Sequence, residues 1–138
     1  LAIDLGRAAG HIDFIRPALP YDGACGAFRK AAAAYGFIQR YRREKEDLTG
    51  IAEEPWHFRD VGAPHARLME ENGLCLEEYP EFLRERPRSC PLPDGRLAQV
   101  FYVPCAGEET EIQLPDGCCQ VSGDNAGGFI VTAWGRPA

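Results

Sequence analysis

The sequence predicts an α+β protein, a mainly antiparallel sheet with helices on one face, followed by a small all-β module. Short apolar runs with a period of two recur along the chain, as half-buried strands require. Segments with helical spacing stand between them, closed by glycine or proline. Past Pro87 the helical texture stops and strand-and-turn patterning takes over, so we divide the chain into 1–88 and 89–138.

In chain order, Leu1 to Leu5 reads as a strand with Leu1, Ile3 and Leu5 on one face and Ala2 and Asp4 on the other. An Asp inside a strand is unusual. His11 to Ile15 reads as a second short strand, closed by Pro17 and Pro20. A helix is expected after Asp22, with Ala24, Phe28, Ala31 and Tyr35 at helical spacing and Gly36 as its stop. Phe37 to Tyr41 is a strand, and a charged loop runs on to Gly50. Trp56 to Val61 is a strand after Pro55, which restricts Glu54 to extended backbone. Helices are expected over Pro64 to Glu71 and Leu76 to Arg86. The remaining strands are Ala98–Val103, Thr110–Leu114, Cys118–Ser122 and Phe129–Trp134, with Asp116-Gly117 as a hairpin turn.

Composition narrows the function classes. The 138 residues carry a net charge of −6, against a nucleic-acid footprint, and the basic stretch Arg40 to Lys45 reads as a solvated loop. No apolar run approaches the roughly 20 residues a membrane helix needs. Six cysteines form no Cys-x-x-Cys pair, which speaks against a zinc knuckle. Cys90, Cys105, Cys118 and Cys119 crowd into the last third, where a disulfide and buried thiols remain equally open readings. Leu1 opens what reads as the middle of a strand, so we expect a fragment of a longer protein.

The chemistry concentrates in Glu54-Pro55-Trp56-His57-Phe58-Arg59-Asp60-Val61-Gly62. A hydrolytic metal site needs a few protein ligands, an open coordination position for water, and a carboxylate to accept the water's proton. Glu54 and His57 supply two of those residue types three positions apart. On a regular strand that spacing points them to opposite faces, so both reach one point only if the chain turns or bulges near Pro55. His57 and Arg59 then share a face, while Trp56 and Phe58 pack inward. Taken alone, Glu-x-x-His also fits a histidine with no role beyond packing.

The full string, with His65-Ala66 after it, closely resembles the signature of VanY-type D-alanyl-D-alanine carboxypeptidases. These belong to the LAS, or hedgehog/DD-peptidase, zinc superfamily, which also contains the VanX dipeptidases. Leu1-Ala2-Ile3-Asp4 looks like the end of that family's His-x-x-Gly-x-Ala-x-Asp motif. Ile12-Asp13-Phe14-Ile15-Arg16-Pro17, Tyr35-Gly36-Phe37-Ile38 and Lys45, Thr49 and Gly50 fit its middle, so the resemblance covers residues 1 to about 86. The closing β segment resembles an extension of some relatives.

The resemblance implies that Asp4 and His57 are zinc ligands and Glu54 is the catalytic base. The family's first histidine then falls four residues before Leu1, and its substrate-stabilising arginine further upstream. His11 opens a different strand and does not replace that histidine; His65 is read as structural. Asp60 stands where relatives commonly carry Tyr. Arg59 and Arg16 are candidates to pair with the substrate carboxylate, against the alternative of plain surface arginines.

The implied function is zinc-dependent removal of the terminal D-alanine from peptidoglycan stem peptides, or from another D-Ala-D-Ala peptide, in the bacterial cell envelope. The cofactor is Zn2+, and exposed sheet edges predict oligomerisation. The alternative is an inactive module of the same fold that binds wall peptides or a partner. For residues 89–138 a wall-binding role stands against a small core built from Phe101, Tyr102, Phe129 and Trp134.

Overall fold

The computed structural model describes residues 1–135. Its Cα positions group into two compact units, Leu1–Glu77 and Glu78–Ala138. The first contains β1 (Ala2–Asp4), α1 (Gly23–Ala32), β2 (Phe37–Tyr41), α2 (Glu46–Thr49), β3 (Glu54–Asp60) and α3 (Ala63–Glu71). Its three strands form an antiparallel sheet in the order β1-β3-β2.

Apolar alternation sets which way this sheet faces. Ile3 lies opposite Phe58 across the β1–β3 pair. Phe58, only 1% exposed, joins Leu19 and Ala32 in a core against which Ile3, Leu5, Cys25, Phe28, Phe37 and Trp56 pack. Phe28 of α1 meets Phe58 edge-on, with ring centroids 5.0 Å apart. Trp56 and Phe58 therefore face inward, as expected from the strand's pattern.

Gly36 ends the helical segment with φ +90°, a left-handed conformation that favours glycine. A Cβ there would meet the backbone of Gly62 and Ala63 at about 3.0 Å, so the close approach of the β3–α3 turn also requires glycine. The Gly36 carbonyl accepts the Val61 N–H at 2.9 Å.

Several expectations need correction. His11 to Ile15 forms no strand. The Asp13 carboxylate instead accepts the N–H groups of Ile15 and Arg16, an Asx turn that takes up the backbone donors a strand partner would need. Between Tyr41 and Gly50 the charged segment forms a 3-10 turn, Arg43–Lys45, and then α2. The helix expected from Leu76 begins only at Tyr79, with Pro80 in its first turn, where the missing proline N–H costs nothing.

The second unit contains α4 (Tyr79–Glu85), β4 (Arg88–Pro91), β5 (Leu97–Pro104), β6 (Cys118–Gly123) and β7 (Gly128–Trp134). Its sheet is antiparallel in the order β4-β5-β7-β6. The division falls before α4, which packs on β5, whereas the change of sequence texture comes near Arg88. Thr110–Leu114 is not a strand, so Asp116-Gly117 leads into β6 without closing a hairpin. Cys90 and Pro91 end edge strand β4, where proline's missing donor is tolerated. All six cysteines are thiols, and Cys75 and Cys90 are buried.

A carboxylate, not an apolar cluster, closes the β6–β7 hairpin. The Asp124 side chain is 2% exposed and accepts the Ala126 and Gly128 N–H groups and the Tyr102 hydroxyl at 2.8–2.9 Å. Burial pushes its pKa up, but these hydrogen bonds outweigh burial and hold it below the ordinary value. Replacing Asp124 with Ala leaves those donors without their acceptor, and we expect a loss of about 2–3 kcal/mol in urea unfolding of the second unit. A loss below about 0.5 kcal/mol contradicts this role.

Candidate active site

Asp4 and His57 meet because the β1–β3 register sets them opposite one another. The Leu5 N–H donates to the Trp56 carbonyl and the Asp60 N–H to that of Leu1. Hydrogen-bonded pairs alternate along an antiparallel ladder, so Asp4 and His57 occupy a non-hydrogen-bonded pair, where side chains approach most closely. His57 Nδ1 lies 2.6 Å from Asp4 Oδ1 on the face away from Phe58.

Glu54 reaches the same point through a bulge. On the β2 side, Gln39 pairs with Phe58 and Tyr41 with Glu54, so Pro55, Trp56 and His57 lie opposite the single residue Arg40. The irregularity overrides the opposite facing of positions three apart and brings Glu54 Oε2 to 4.0 Å from His57 Nδ1. The adjacent Glu53 is committed elsewhere. Tyr21 donates its hydroxyl to it at 2.5 Å and Arg43 pairs with it at 3.0 Å, which together hold its carboxyl below the ordinary range.

The other predicted residues sit as follows. Arg59 is exposed and paired with Ala2 and Ile38 in neighbouring strands. Arg16 belongs to the exposed turn at Asp13, and His11 is exposed in the preceding bend. Asp60 accepts the Gly62 N–H at 3.0 Å, which ties its carboxylate to the β3–α3 turn. His65 lies on α3, and burial pushes its imidazole down to about 4.

Three contributors escaped the sequence reading. Tyr41 stacks on the His57 ring, with centroids 5.5 Å apart and planes 24° from parallel. Arg29 donates to the Pro55 carbonyl inside the bulge at 2.6 Å, and Gln39 accepts from Arg29 at 2.6 Å. None belongs to a local motif; only the pairing of β2 with β3 and the packing of α1 bring them here.

An imidazole nitrogen and a carboxylate oxygen this close suit the nitrogen and oxygen preference of zinc. The fit is partial, because among the described residues no group of three or more His, Cys, Asp or Glu is arranged to hold a metal. Asp4 and His57 are therefore two candidate ligands that need at least one more.

The sheet and its helices define the class first, a protein with the peptidase fold of the D,D-dipeptidase VanXYg. Residues 1–63 match the family model VanY, described as D-alanyl-D-alanine carboxypeptidase. A D-alanyl-D-alanine carboxypeptidase of Enterococcus faecium is 42% identical over 101 residues, 72% of this chain and 33% of that protein. The bifunctional D-Ala-D-Ala dipeptidase and D-Ala-D-Ala carboxypeptidase VanXYC of Enterococcus gallinarum is 40% identical over 89 residues, 64% of this chain and 47% of that protein. A crystal structure of the vancomycin resistance D,D-dipeptidase VanXYg, in complex with a D-Ala-D-Ala phosphinate analog, superposes with a TM-score of 0.90 at 49% identity. That match covers 97% of this chain and 55% of the other. The chain thus spans between a third and a half of the length of these two curated relatives.

The depressed His65 value makes stability depend on pH. The folded state keeps the ring neutral, while the unfolded chain takes up a proton below about 6.5. The contribution is therefore complete above pH 6.5 and is lost as pH falls toward 4, by at most about 3 kcal/mol. Urea midpoints of the wild type should drop across that window, and His65→Gln should flatten the profile. An unchanged slope in the variant removes His65 as the cause.

Proposed function

We propose that this chain is part of a zinc-dependent D,D-carboxypeptidase that releases the terminal D-alanine from peptidoglycan stem peptides in the cell envelope. One observation carries the reading: Asp4 Oδ1 lies 2.6 Å and Glu54 Oε2 4.0 Å from the same nitrogen of His57. The relatives' D,D-peptidase activities support the substrate class.

In this reading Asp4 and His57 hold the metal, with a further ligand from sequence before Leu1. When bound, zinc would supply a water whose pKa is lowered toward ~7 and a Lewis acid for the substrate carbonyl. Glu54 accepts the proton of the attacking water and returns it to the departing D-alanine nitrogen. Tyr41 limits the tilt of the His57 ring through their stacked contact. Arg59 shares the face of His57 and is the nearer in sequence of the two arginines, Arg59 and Arg16, proposed for the substrate carboxylate.

The experiment uses the intact protein that contains this chain and a peptide ending in D-Ala-D-Ala. We expect bound zinc and release of D-alanine. Glu54→Ala should retain zinc but lose roughly 10²–10⁴-fold in kcat, the usual contribution of a general base. His57→Ala and Asp4→Ala should lose zinc as well as activity. Zinc-free protein that binds the peptide without cleaving it favours the inactive binding module, and D-alanine release unaffected by Glu54→Ala rejects the assigned base.

A further inference from the structure

We propose that Arg29 is a positioning residue of the site, the clamp that holds the β3 bulge open so that Glu54 and His57 face one point. This rests on the zinc-peptidase reading above and adds a residue that touches neither metal nor substrate.

The bulge creates a problem of unmet hydrogen bonds. With three residues of β3 opposite Arg40 alone, the ladder cannot supply every backbone partner there, and Pro55 has no N–H to offer. Arg29 reaches over from α1 and donates from Nη2 to the Pro55 carbonyl at 2.6 Å and to the Leu19 carbonyl at 2.7 Å. Its Nη1 donates to Gln39 Oε1 at 2.6 Å and its Nε to the Pro20 carbonyl at 3.3 Å. The Gln39 amide in turn donates to the Tyr41 carbonyl at 3.0 Å. One guanidinium thus ties β3 at Pro55 to β2 at Gln39 and, through Gln39, to Tyr41.

These ties bracket the site. Pro55 lies between Glu54 and His57, and Tyr41 pairs with Glu54 while stacking on His57. The guanidinium sits over the Tyr21 ring at 4.1 Å and 5.6 Å from the centre of the Phe58 ring, so its plane is held from the core side. Lysine offers a compact ammonium without the planar fork and cannot bridge acceptors on two strands and a loop at once.

The test compares the intact protein that contains this chain with its Arg29→Met variant, which keeps an unbranched stem and removes every donor, and with Arg29→Lys. Thermal midpoints and far-ultraviolet circular dichroism report folding. Nuclear Overhauser contacts between the Tyr41 and His57 rings, recorded without zinc, report the bulge. Competition with a chromogenic chelator reports zinc affinity. We expect both variants to fold, to lose the ring-to-ring contacts, and to bind zinc roughly tenfold more weakly, as lost outer-shell support typically does. A folded variant with wild-type ring contacts overturns the proposal. So does failure of both variants to fold, since Arg29 is then a general stabiliser. A wild-type intact protein that binds no zinc at all counts against the peptidase reading instead, and the ring contacts still decide the role of Arg29.

Discussion

The opposition of Asp4 and His57 across β1 and β3 is the constraint on which the rest of the site depends. Two side chains 53 residues apart in sequence come within 2.6 Å because an antiparallel register assigns them to one pair. That register is itself set by burial. Ile3 and Phe58 occupy the adjacent pair and face the core, and a slip of one residue would turn every side chain of β1 to the other face. The apolar face of the sheet therefore sets the polar one.

The second constraint is local and opposes the first. A regular β3 would keep its ladder complete but would leave Glu54 and His57 on opposite faces. The chain instead gives up regular pairing with β2 over Pro55–His57 while keeping it with β1 through Trp56, whose carbonyl still accepts the Leu5 N–H. The irregularity is thus confined to one side of the strand. Arg29 and Gln39 take up polar groups on that side, which limits the cost of leaving backbone carbonyls without strand partners.

The second unit is organised differently. Its sheet buries Ala98, Val100 and Val131, and its hairpin closes on the hydrogen-bonded carboxylate of Asp124. Nothing in this arrangement repeats the carboxylate–imidazole chemistry of the first unit. The VanY family model matches residues 1–63, and VanXYg matches nearly the whole chain, so the extension is a feature held in common with at least that enzyme.

Much was legible in the order of residues. Period-two alternation marked β1, β2 and β3; Gly36 marked the end of the helical segment; and the string from Glu54 to Gly62 with Asp4 named the three groups that converge. Even the need for a turn or bulge near Pro55 followed from spacing, since positions three apart cannot share a regular strand face. Local pattern misled where side chains satisfied backbone groups in its place, as Asp13 does at the expected second strand. What no local pattern carried was the identity of the neighbours: Tyr41 against His57, Arg29 on Pro55, Asp60 turned to Gly62. By itself the sequence determined the strands β1, β2 and β3 and named Asp4, Glu54 and His57 as candidates, because periodicity and residue type are properties of short segments. Only the tertiary structure decided which groups meet and what holds them there, because strand pairing and helix packing join segments that are distant along the chain.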